Sequence, residues 1–109
     1  MSINISTLAT DMTVAFKKEF SIKWSDTKEF AEAESQKLAQ SLSMIEALIV
    51  SRSINQEQAR LLLNIQRNAT LMVLLTIEGL GLLAVEHAIN AALGVVKSTV
   101  NTALGFELI

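Results

Sequence analysis

Ile5, Leu8, Met12, Phe16 and Phe20 recur at intervals of three and four residues, which aligns them on one face of a helix. The spacing predicts a first helix over about residues 4–19, with Ser2 or Asn4 as its cap. From Phe20 to Trp24 apolar and polar residues alternate, a pattern that fits a short extended connector as well as a helix end. Asp26 followed by Glu29 has capping-box spacing and opens a second helix, predicted over about residues 26–50. Its apolar face is Phe30, Leu38, Leu42, Ile45 and Ile49, while Lys28, Glu32 and Lys37 face water. Ser51 to Asn55 reads as a turn in which Asn55 caps the next helix, Gln58 stands at the box position and Ile54 staples onto Ala59.

A third helix is predicted over about residues 56–78, with Glu57 near the positive end of its dipole. Arg60, Asn64 and Arg67 at first alternate with Leu62, Leu63 and Ile65. After Asn68 the alternation stops, and Leu71, Met72, Val73, Leu74, Leu75 and Ile77 leave only Thr70, Thr76 and Glu78 polar. A helix apolar on all sides is a central core helix or a membrane span. Gly79 and Gly81 then break or kink the chain, each costing a helix about 1 kcal/mol relative to Ala. An unbroken helix from Gln56 to Leu104 would run about 73 Å. The fourth helix, predicted over about residues 82–104, carries Val85, Ile89, Ala92, Val96, Val100 and Ala103 on one face. Small residues recur every four positions as Ala84, Ala88, Ala92 and as Gly94, Ser98, Thr102. Such stripes let backbones approach closely, although the helix propensity of Ala accounts equally well for the first.

Composition changes this picture in one respect. Of 109 residues, 50% are hydrophobic and 18% charged, with no Pro or Cys, whereas soluble domains are about 25% charged. A chain this short has much surface for its volume, so another copy or a membrane is expected to cover the surplus apolar area. The composition excludes a disordered chain, a disulfide scaffold and a zinc finger. The surplus is also local: eleven of the twenty charged residues lie between Asp11 and Lys37, and after Asn68 there are only Glu78, Glu86, Lys97 and Glu107. A net charge of −2 does not direct the chain to nucleic acid. Met1 to Thr10 lacks a basic n-region and an apolar h-region, so no cleavable signal is read and a cytoplasmic location is expected.

Candidate chemistry is sparse. His87, the single histidine, lies beside Glu86, with Glu78 earlier and Glu46 on the second helix. A di-metal bundle site needs Glu-x-x-His so that both side chains share a face, and Leu83, Ala84, Asn90 and Ala91 hold the positions that would pair with His87. Nucleophilic catalysis has only His87 as a base, and Gly79-Leu80-Gly81 has no Lys to make a phosphate loop. No catalytic, cofactor-binding or metal-binding residue is therefore assigned. Glu78, Glu86 and His87 remain the polar candidates, with Glu78 expected at an exposed kink rather than as a buried carboxyl.

From Leu71 to Ile89 there are ten Leu, Ile or Val residues, together favouring membrane insertion by about 3–6 kcal/mol. Glu78 opposes it by about 2.5–3.5 kcal/mol, and Glu86 and His87 add to that. The sum is near zero, and the flanks lack an aromatic belt or a Lys/Arg excess. Lys17, Lys18 and Lys23 interleave with Phe16, Phe20, Ile22 and Trp24. Such a segment suits an anionic membrane surface or a partner, while the simpler expectation is buried aromatics with solvated lysines.

The sequence thus predicts an all-α bundle of about four helices around a central antiparallel hairpin. Homo-oligomerisation, as a dimer or tetramer, is expected to complete it, with Leu71, Leu74, Leu75, Ala84, Ala88, Ala92 and Val96 at the interface. The expected function is that of a non-enzymatic structural or interaction module. The alternative is a membrane-active protein using Leu71 to Ile89.

Overall fold

Asn4 opens the first helix, its side-chain oxygen accepting from the backbone N–H of Thr7 at 2.9 Å. The structure, a computed structural model, describes residues 3–109, so Ser2, the other candidate cap, lies outside the described residues. Four helices follow: α1 (Ile5–Phe20), α2 (Trp24–Val50), α3 (Gln56–Leu74) and α4 (Leu82–Leu104). The chain is all-α, a small bundle measuring 42 × 22 × 18 Å.

Each helix runs antiparallel to the one before it. The Ile3 N–H donates to Glu46 Oε1 at 2.8 Å, bringing the start of the chain to the end of α2. Ser41 donates to Gln66 across α2 and α3, and Arg67 to Asn90 across α3 and α4. At the far end the last turn of α1 meets α4, with Glu19 Oε2 3.3 Å from His87 Nε2. The most extensive packing joins α1 to α2 and to α4. By contrast α3 lies along α2 and touches α4 only lightly, so a larger share of its surface stays outside.

The core contains the apolar faces expected of α1 and α4: Leu8, Met12, Phe16 and Phe20 from the first, and Val85, Ile89, Ala92, Val96 and Val100 from the last. Phe16 and Phe20 stack with ring centroids 5.7 Å apart. Each large aliphatic or aromatic side chain moved from water to such a core contributes about 1.5–3 kcal/mol. On α2 the buried row is Ala31, Leu38, Leu42 and Ile45. Phe30, expected in that row, is exposed, because Thr27, Ala31 and Glu34 hold the buried line at its level.

Three boundaries differ from expectation. Between α1 and α2 the chain makes a 3-10 turn, Ser21–Lys23, the helix end and not the extended connector of the two readings the alternation allowed, and Ser21 turns the corner at φ +50°. Helix α2 accordingly begins at Trp24 without a side-chain cap, which leaves Asp26 inside the first turn, favourable to the dipole but not an N-cap. Helix α3 ends at Leu74, not at 78. Thr76 and Ile77 N–H groups donate three residues back, to Val73 and Leu74 carbonyls, tightening the chain into a turn that Gly79 completes at φ +88°. Ile77 is the buried anchor of that turn. The Asn55/Gln58 capping box forms in full, at 2.8 and 2.9 Å. Beyond α4, Gly105 at φ +80° is a left-handed cap and the tail folds back, Asn101 Oδ1 accepting from both Leu108 and Ile109 N–H.

Candidate functional site

The polar candidates gather near one end of the bundle without forming a single site. Glu78 is exposed in the α3–α4 turn, as expected of a kink, and lines a cleft of about 580 Å³ with Lys23, Asp26, Phe30, Thr76, Ile77 and Gly79. The Lys23 ammonium lies over Gly79 and would have to swing aside for any side chain there. Thr76, the hydroxyl of that cleft, donates to the Val73 carbonyl at 2.6 Å. His87 faces α1 instead, its side chain largely in solvent and its Nε2 beside Glu19. An imidazole beside one carboxylate on a neighbouring helix makes an interhelical ion pair when protonated. Glu86 is half-buried one residue earlier, and neither it nor His87 lines the Glu78 cleft.

Glu46 is remote from all three. It is buried at the opposite end, where it receives the Ile3 N–H, and the length of α1, about 24 Å at 1.5 Å per residue, separates the two ends. Among the described residues no group of three or more His, Asp or Glu side chains comes together in a form that would hold a metal ion.

Sequence reasoning missed Glu34. It is 1% exposed, its Oε2 accepting from Lys37 Nζ at 3.1 Å while Oε1 finds no partner among the described residues. Its neighbour Ser35 is also buried with an unpartnered hydroxyl. The signal was present: Thr27, Ala31, Glu34, Leu38, Leu42 and Ile45 keep the three-and-four spacing of the buried face.

The expected interface residues are placed mostly inward. Leu74, Ala88, Ala92 and Val96 are buried within the single chain, so they offer no surface to a second copy. For the three on α4, the physical reason is the close packing of that helix on α1. Leu71 and Leu75 are half-buried against the core, and only Ala84 is exposed. Outward-facing apolar residues appear elsewhere. On α3, Leu61, Ile65 and Met72 are each more than half exposed and fall within about 40° of one another at 100° per residue. Asn64, Asn68 and Ala69 fill the same exposed face, while Arg67, the single charge between Leu61 and Met72, turns to Asn90 on α4. That face of α3 is therefore uncharged from Leu61 to Met72, with Glu57 one turn before it.

No helix among the described residues is long and apolar enough to cross a membrane. Leu71 to Ile89 is divided among the end of α3, the turn and the start of α4. No protein-family model matches the chain, and comparison with curated proteins and with solved structures yields no match.

Proposed function

We propose that the protein is a non-enzymatic interaction module whose working form is a homo-oligomer, in the simplest case a dimer, joined through the outward face of α3. The observation that carries this reading is the uncharged row Leu61, Asn64, Ile65, Asn68, Ala69 and Met72 on an exposed helix face. Interface centres are depleted in charge and enriched in Met relative to ordinary surface, and contiguous exposed apolar patches mark association sites. A second copy suits this face because it is self-complementary. An antiparallel crossing sets Leu61 of one copy against Met72 of the other, pairs asparagine amides near the two-fold axis and brings no like charges together. The row is about 16 Å long on a helix about 10 Å wide. That is well below the roughly 800 Å² per partner of a standard stable complex, so an exchangeable, concentration-dependent dimer is expected rather than a permanent one.

The chain has no cysteine, which makes single-site crosslinking clean. Asn68→Cys, near the proposed axis, should give a crosslinked dimer with a short bis-maleimide. Thr10→Cys on the outward side of α1 should not. Equal crosslinking at the two positions would contradict an interface on α3.

A further inference from the structure

The corner between α1 and α2 presents an apolar and basic surface that neither the bundle nor the α3 face uses. Ile22 stands at its apex and is 93% exposed, the most exposed large hydrophobic among the described residues. Around it Val14, Lys17, Lys18, Ser21 and Trp24 line a shallow depression of about 610 Å³. No carboxylate lines it. The acidic residues of α1, Asp11 and Glu19, line the neighbouring groove toward α4, where Glu19 meets His87. Asp26 lines the separate cleft beside Glu78.

The backbone holds this corner in an uncommon form. Ser21, not a glycine, takes φ +50°, a conformation that costs energy for an L-residue and persists where surrounding structure enforces it. The effect is to fold α1 onto α2 through one 3-10 turn, with Ile22 directed away from the core that Phe16 and Phe20 enter.

We infer that this corner docks on the surface of an anionic lipid bilayer. Charge complementarity argues for an anionic occupant, since Lys17 and Lys18 line the depression and no acidic side chain does, Asp11 and Glu19 sharing with Lys18 the groove on its other side. Shape argues for a bilayer: a projecting aliphatic side chain beside a half-buried indole enters a soft planar boundary, while flanking lysines extend their ammonium groups to lipid phosphates. One aliphatic side chain, one indole and a few lysines sum to reversible surface attachment, without any segment crossing the membrane. The site is independent of the α3 face, so a dimer would carry two such corners.

Flotation with vesicles tests this. Wild-type protein is expected to rise with phosphatidylcholine vesicles containing phosphatidylglycerol and to remain behind with phosphatidylcholine alone, its binding weakening as salt is raised. Lys17→Gln with Lys18→Gln, and separately Ile22→Ser, should each lower partitioning about tenfold or more. All three positions are exposed, so helical circular dichroism should be unchanged. Ile65→Glu, on the α3 face, keeps its own corner and should still bind these vesicles, weaker than wild type only by the avidity that a two-corner dimer adds. Absence of binding to any vesicle, equal binding to neutral vesicles, or binding that survives the corner substitutions and is lost in Ile65→Glu would each overturn the proposal.

Discussion

Glu34 is the residue at which local chemistry and fold are most at odds. A carboxylate removed from water needs partners for both oxygens, yet among the described residues it has one, the Lys37 ammonium, whose side chain remains 56% exposed. Removing the buried charge altogether should therefore be harmless, whereas stranding it should not. Glu34→Met is expected to leave stability unchanged or raise it by about 1–2 kcal/mol. Lys37→Ala should lower it by about 1 kcal/mol, a modest figure because the amine is half in solvent. Urea midpoints at constant m-value measure both. A marked loss in Glu34→Met would mean that the carboxylate holds a structural partner. Residues of this kind are poorly legible in sequence: charge suggests solvent, and the periodic spacing that contradicts it becomes decisive only when Ala31 and Leu38 are known to be buried. Glu78 was easier to place, because two nearby glycines signalled a turn in which a carboxylate reaches water.

At the level of elements, turn chemistry was legible where side chains close it and obscure where the backbone alone does. Asn55 and Gln58 announce the start of α3 and form their box in the structure. Asn55→Ala should cost about 1 kcal/mol, readable from the thermal midpoint. The α1–α2 corner carries no such signature, since Lys23 precedes α2 without a side-chain cap, and Asp26 with Glu29 imitates a cap within the first turn. Glycines differ by position in the same way. Gly79 has φ +88° and a Cβ there would meet Lys23 Nζ, so Gly79→Ala should destabilise by about 1–2 kcal/mol. Gly94, in the interior of α4 with nothing within 4 Å of an added Cβ, should gain about 0.5–1 kcal/mol on replacement by Ala. Gly94→Ala also probes the Gly94, Ser98, Thr102 stripe. If a second copy packed closely there, the added methyl group would weaken association instead.

For the whole molecule, the surplus of apolar residues after Asn68 has a simpler answer than the sequence suggested. Much of it is covered by the chain itself, because α1 supplies the apolar face on which α4 packs. Helix periodicity showed both faces but not that they meet, since nothing in the order of residues fixes which helices are neighbours across the bundle. Ala88 and Ala92 therefore change meaning. Ala88→Glu places an unpaired carboxylate at a fully buried position and should unfold the chain or cost several kcal/mol, visible as loss of cooperative melting. Ile65→Glu lies on an exposed face and should leave the fold intact. Of the large apolar side chains left exposed, Leu61, Ile65 and Met72 form an ordered outward row on α3.

Molar mass in plain buffer over a range of concentrations, from light scattering after gel filtration, tests self-association through α3 most directly. The expected result is a mass that rises with concentration toward twice the 11.9 kDa chain, and stays at one chain for Ile65→Glu. A wild-type mass of one chain at every concentration, or a dimer that persists unchanged in Ile65→Glu, would contradict it.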